Sequence, residues 1–265
     1  MSLSPCSSSP FSSPFSSPDA LVPGTPLIGV LDDLAIGLGA MKAYAAAALR
    51  RAVPGGLVLD LGCGTGPDLA LLAAAGMRPI GLDRSAALLA EAAARLPSTP
   101  LVRSDAAALP FAAAAFDGCR IERVLQHVES PAAVLGEVAR VVRPGGALAV
   151  FEPDWTTITI ASELSEASEV DALFARARHP RIGGDLPDLV SAAGFAIDDV
   201  VTEASRTERP EGVPWDIDAV VGRANSEDRV DAATARRWLA EQRQRAADGR
   251  FEARWSKVLV VATRR

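Results

Sequence analysis

The chain is short of several kinds of chemistry. Lysine occurs twice, at Lys42 and Lys257, histidine twice, at His127 and His179, and tyrosine once, at Tyr44. The three cysteines, Cys6, Cys63 and Cys119, are scattered and odd in number, which argues against a disulfide framework and a zinc site. A reducing cytoplasm is the expected compartment, and no metal is expected. No apolar run reaches the ~18 residues that a membrane span needs. A basic face is missing as well. The formal net charge is −6 and the pI is near 5.1, against a general nucleic-acid binder, because phosphate asks for clustered cations.

What remains is apolar bulk, 49% of 265 residues, enough for one domain with a lid or a tail. Residues 1–19 repeat Ser, Pro and Phe and are expected to be a disordered tail, since they cannot bury enough surface to offset chain entropy. Residues 20–56 form an N-terminal helical cap, ended by Pro54-Gly55-Gly56. Beyond it the pattern alternates. Strands are predicted at 57–61, 79–83, 101–103, 116–122 and 147–152, with helices at 67–75, 85–95 and 132–142 between them. Such alternation implies a parallel sheet with right-handed crossovers. A helix over 164–178, a short one over 186–193, a strand over 195–201, an amphipathic helix over 232–247 and a closing strand over 255–262 complete seven strands. The stretch 203–250 is read as a lid or insertion.

The organising motif is Leu57-Val58-Leu59-Asp60-Leu61-Gly62-Cys63-Gly64-Thr65-Gly66, a buried strand running into a glycine turn and a helix. A dinucleotide fingerprint asks for Gly or Ala where Pro67 stands, and a phosphate loop asks for a Gly-Lys-Ser/Thr ending that is absent. A second anchor, Asp83, closes the next strand about 20 residues on, where a carboxylate accepts from both ribose hydroxyls; the competing reading is an N-cap for the helix that follows. Asp105, after the third strand, can accept from the amino group of an adenine, or be an ordinary loop acid.

Taken with Gly81-Leu82-Asp83, Asp105 to Phe111, Phe116-Asp117, Val124 to Val128 and Glu137 to Gly146, the motif resembles the class I S-adenosylmethionine-dependent methyltransferases. The nearest likeness is to the small-molecule branch that includes the ubiquinone/menaquinone-biosynthesis enzymes. The resemblance covers residues 57–152. It implies an α/β, Rossmann-like, seven-stranded, mostly parallel sheet with helices on both faces and the last strand antiparallel, spanning 57–265. It also implies S-adenosyl-L-methionine as cofactor. Asp60, Gly62, Cys63, Gly64 and Gly66 would hold its methionine end, Asp83 with Arg84 its ribose, and Asp105 with Ala106 its adenine. Glu122 and Arg123 would lie near the sulfonium and the acceptor.

His127 and Glu122 are the candidate catalytic groups. His127 would take a proton from a hydroxyl or an activated carbon; a structural histidine is the alternative. Tyr44, Arg123, Asp154, Trp155 and Trp215 are candidate acceptor contacts, with Glu152 beside them. The expected activity is methyl transfer to a small organic acceptor, at oxygen first, then carbon or nitrogen, by a cytoplasmic monomer or homodimer with no nucleic-acid or membrane partner. The Asn/Asp-Pro-Pro-Tyr/Phe run of many amino-group methylators is missing. The rivals are a cyclase or isomerase on the same fold that transfers no methyl group, and a non-catalytic binding subunit.

Overall fold

The computed structural model describes residues 39–174, 178–210, 213 and 217–265. The tail, most of the helical cap before Gly39, and Trp215 lie outside the described residues. Strands β1 (Leu57–Leu61), β2 (Arg78–Asp83), β3 (Leu101–Arg103), β4 (Phe116–Glu122), β5 (Val142–Ile160), β6 (Phe195–Thr207) and β7 (Ala253–Arg264) form one sheet. The order across it is β3-β2-β1-β4-β5-β7-β6. Only β7 runs antiparallel to its neighbours. The sheet order reverses beside β1, which leaves a crevice at the carboxyl ends of β1, β2 and β4.

Strand alternation assigns the two faces. Leu59, Leu61, Cys119, Ile121, Leu148 and Val150 point to one side. There they meet Val134, Leu135 and Val138 of α4 (Pro131–Val141) and Leu186 and Val190 of α6 (Ile182–Ala192). Val58, Ala149, Phe151 and Leu259 point to the other. They pack on Met41, Ala45 and Leu49 of α1 (Gly39–Ala52) and on Leu72 of α2 (Pro67–Ala74). Each fully buried Leu, Ile or Val contributes roughly 1.5–3 kcal/mol, so both layers are held mainly by apolar burial.

Local signals set the helix starts. Ser85 caps α3 (Ala86–Arg95), its Oγ accepting from the Leu88 N–H at 3.3 Å. Ser130 does the same for Ala133 at 3.2 Å, and Pro131 occupies the first turn of α4, where a missing N–H costs nothing. Asp231 caps α8 (Ala232–Ala247).

The last three strands run further than the sequence reading expected. β5 extends to Ile160 because Ile158 and Ile160 are buried while Thr156, Thr157 and Thr159 are exposed, a β-branched alternation. β6 continues to Thr207, so the first part of the expected lid is strand. Beyond the ends of β1–β4 these extensions support a second apolar cluster. Trp155, Ile160, Val170, Val213, Val221, Trp238 and Trp255 meet in it. The cluster also draws on α5 (Ala167–Phe174), α7 (Ile217–Ser226) and α8. Ile217, Val221 and Trp238 are thus core residues of this cluster, and Val220 packs against it.

Candidate active site

The glycine turn is pinned to β2: the N–H groups of Gly62 and Cys63 both donate to the Leu82 carbonyl, at 2.7 and 3.0 Å. A Cβ on Gly62 would sit 2.3 Å from Val124 Cγ2, so the turn and the β4–α4 loop close on each other only because this residue has none. Gly64 has a left-handed φ of 54° and no atom within 4 Å of a would-be Cβ. It leaves room for a ligand to approach the backbone. Cys63 is buried beneath the turn, and its thiol is pushed up to about 12 by burial and by Asp60 and Asp83, so it is no nucleophile.

Asp83 holds the turn from the β2 side. Its Oδ2 accepts from the Gly64 N–H at 3.0 Å and its Oδ1 from the Ser85 N–H at 2.8 Å. Ser85, not Asp83, is the helix cap. A carboxylate has about four acceptor positions, so capacity is left for two hydroxyls. Across the crevice Asp105 Oδ1 accepts from the Ala107 N–H at 2.8 Å. The loop from Asp105 to Phe111 is fastened by α4. Glu137 accepts from the Leu109 N–H at 2.8 Å, and Arg140 donates to the carbonyls of Leu109 and Phe111 at 2.9 and 2.7 Å. Arg140 in turn holds the Glu137 carboxyl down at about 2.

Behind the turn lies a buried charge cluster that the sequence reading did not foresee. Arg120 of β4 reaches Asp60 at 3.2 Å, Asp68 at 3.1 Å and Glu122 in a close pair. Lys42 of α1 reaches Asp68 at 3.1 Å and Glu122 at 3.0 Å. Arg123 adds a third cation 3.5 Å from Glu122, so three carboxylates face three cations, and Asp60 Oδ2 has no partner. Burial raises Asp60 to about 7 against the pull of Arg120. The signal in the sequence was the arginine inside β4, two residues before Glu122 and therefore on the same face.

The β4–α4 loop is tied down on three sides. Glu152, fully buried midway along β5, accepts from the N–H groups of Val124 and Leu125 at 2.8 and 2.7 Å. Burial lifts its carboxyl to about 8. Trp155 Nε1 donates to Gln126 Oε1 at 2.7 Å, and His179 Nε2 donates to the Val128 carbonyl at 2.9 Å. These ties place His127 at the crevice, where burial and then the charges of Arg84 and Arg123 lower its pKa and favour the neutral imidazole. Arg123 itself is held at a left-handed φ of 54°, a strain of about 1 kcal/mol for a residue with a side chain.

A cleft of about 1040 Å³ opens between these parts. Of the residues named from sequence, Gly62, Gly64, Asp83, Arg84, Asp105, Ala106, Glu122, Arg123, His127 and Trp155 line it. Asp60, Cys63 and Gly66 are buried behind that lining. Two expected acceptor contacts are not brought to it. The Tyr44 hydroxyl pairs with Asp199 on β6, at the far edge of the sheet, because α1 crosses toward β5 and β7. Asp154 turns back on its own strand and accepts from the Thr156 N–H at 3.0 Å. Gln126 and Arg178 line the cleft without having been singled out. The lining fits a nucleoside at Asp83 and Asp105, and the Glu122 carboxylate lines the cleft beyond them.

A family model described as a methyltransferase domain matches residues 59–150. An uncharacterized 37.1 kDa protein in transposon TN4556 of Streptomyces fradiae is 36% identical over 248 residues, 89% of this chain and 70% of that one. The demethylmenaquinone methyltransferase of Beutenbergia cavernae is 39% identical over 127 residues, 47% of this chain. The match covers 53% of that relative, so the chain spans about half of its length. A solved S-adenosylmethionine-dependent methyltransferase from Mesorhizobium loti shares the fold, with a TM-score of 0.53 at 24% identity. The match covers 88% of this chain and 100% of that one. Among the described residues no helix is long and apolar enough to cross a membrane.

Proposed function

This chain belongs to the class I S-adenosylmethionine-dependent methyltransferases, and on that premise we propose that it methylates an oxygen of a small organic acceptor in quinone-type or secondary-metabolite biosynthesis. Its cofactor is S-adenosyl-L-methionine. The quinone-type direction is supported by the likeness to the demethylmenaquinone methyltransferase of Beutenbergia cavernae, and the small-molecule direction by a cleft that lies among strand ends. The reaction takes place in the cytoplasm, where Cys63 and Cys119 stay free thiols.

The observation that carries this reading is the convergence of Asp83, Asp105, Gly64, Glu122 and His127 on one cleft. Bound there, the cofactor supplies a methyl group on a sulfonium, whose transfer asks mainly for alignment. Asp83 accepts from the ribose hydroxyls with the capacity its two backbone donors leave. Asp105 and Ala106 flank the adenine. Gly62 and Gly64 let the main chain approach the methionine end, while Asp60 and Arg120 fix the turn from below. Glu122 faces the positive end, already oriented by Arg120 and Lys42. Neutral His127 receives the proton from the acceptor hydroxyl as the new bond forms. Burial, and after it the charges of Arg84 and Arg123, favour the neutral imidazole beforehand.

The test is incubation of the full chain with S-adenosylmethionine and a panel of phenols, quinols and amines, followed by mass spectrometry. S-adenosylhomocysteine together with an O-methylated product is the expected result. Consumption of an acceptor without S-adenosylhomocysteine would instead identify a cyclase or isomerase that uses the sulfonium only as a charge.

A further inference from the structure

β5 and β7 continue past the end of β4. Glu122, the last residue of β4, pairs with Phe151, and Phe151 with Leu259. Two residues further out, Pro153 stands opposite Lys257. Lys257 therefore rises beyond the end of β4, on the face that also carries Phe151. It is 7% exposed. Its ammonium lies 6.0 Å from the centroid of the Phe151 ring and 5.7 Å from that of Trp255. Among the described residues it forms no ion pair within 4.0 Å and donates no hydrogen bond.

The charged groups around it are otherwise engaged or distant. Glu122 is held by Arg120 and Lys42. Glu203, its neighbour on β6, attracts it only from a distance, and Arg123 and Lys42 repel it. Burial pulls the lysine below its ordinary pKa. Glu203 and Glu122 attract Lys257 without pairing with it, and apolar residues of similar volume would serve the fold at lower cost, so a buried cation with no direct ion pair points to a missing anion. Lys257 and Trp255 stand behind the cleft wall: Trp255 lies 6.4 Å from Trp155, which lines the cleft. Flat rings and a cation are the surroundings that suit an aromatic anion.

We propose that Lys257 is the anion-holding residue of the acceptor site, and that the acceptor is a flat aromatic molecule carrying a carboxylate or an ionised hydroxyl. The assignment rests on the methyl-transfer reading above. Trp155 and Trp255 take the apolar body, and the ammonium takes the charged oxygen.

The experiment uses the full chain loaded with S-adenosylhomocysteine. Hydroxybenzoates and hydroxynaphthoates are titrated by calorimetry beside their methyl esters, on wild type, Lys257→Met and Lys257→Arg. A charged hydrogen bond predicts that an acid binds about tenfold tighter than its ester in wild type. The gap should close in Lys257→Met and persist in Lys257→Arg, with S-adenosylhomocysteine affinity the same in all three. Equal binding of acid and ester, a gap that survives Lys257→Met, or no binding of any member would overturn the proposal. Release of S-adenosylhomocysteine with neutral acceptors alone would also overturn it and leave methyl transfer standing. Selective acid binding with no such release from any acceptor would uphold the anion site and overturn the methyl-transfer reading.

Discussion

Asp83 and Trp155 line the same cleft, yet they come from parts of the sheet built in different ways. From β1 to β4 the strands are 5, 6, 3 and 7 residues long, and Asp83 and Glu122 sit at the ends of β2 and β4. Turns fastened by backbone hydrogen bonds, such as Gly64 to Asp83, shape the surface there. From β5 to β7 the strands are 19, 13 and 12 residues long, and the surface is made by side chains packed into a second core. A backbone-built site has few solutions, so it leaves a motif. A site built from packed side chains has many, and leaves none.

The comparison can be broken most forcefully at Arg120. Arg120→Met leaves Asp60 without its cation and Asp68 and Glu122 with only Lys42 and the half-exposed Arg123, and should cost about 3–5 kcal/mol in denaturant unfolding. A loss below about 1 kcal/mol would mean that this half does not depend on the cluster. Trp238→Ala strikes the other half. Removing a fully buried indole should cost about 3 kcal/mol. S-adenosylhomocysteine affinity of the folded protein should stay the same, and a tenfold fall would show that the two regions are not separable.

His127→Ala should lower kcat about 100-fold while leaving cofactor affinity intact. In wild type, kcat/KM should rise with pH to a plateau, its midpoint below the ordinary histidine value of about 6.5. A plateau reached only above that value would remove His127 as the base. The smallest effect concerns Glu152. Its folded carboxyl titrates at about 8 against an ordinary value of 4.5, so the native state holds that proton more tightly than the unfolded chain. The resulting stability is complete below the unfolded value and drains away as pH rises through about 8. Asp60, raised to about 7, adds in the same direction. The Tm should therefore fall by about 5 °C between neutral and alkaline pH, and Glu152→Gln should flatten that slope, as scanning calorimetry can check.

The alternation of short apolar runs and turn residues made the sheet legible as far as Glu152. The helices expected at 85–95 and 132–142 were legible because capping by Ser85 and the missing N–H of Pro131 act locally. The extension of β5 was missed because Thr156–Ile160 alternates over too short a window to outweigh the loop-like Glu152-Pro153-Asp154 before it. At the site, the positions of Asp83, Asp105 and the glycines were legible because strand-end and turn positions can be read from the local pattern. Tyr44 was misplaced because its contact, Asp199, is 155 residues away and no local pattern encodes it. Lys42, Arg120 and Lys257 escaped for the same reason: their meaning lies in partners, or the lack of them, on other strands.

The most direct test is the affinity of S-adenosylhomocysteine for wild type and Asp83→Ala, measured by calorimetry. The change removes two charge-assisted acceptors at the ribose and frees Gly64, so binding should weaken about 100-fold while the fold is retained. Undiminished affinity in Asp83→Ala, or no binding by wild type, would contradict the account.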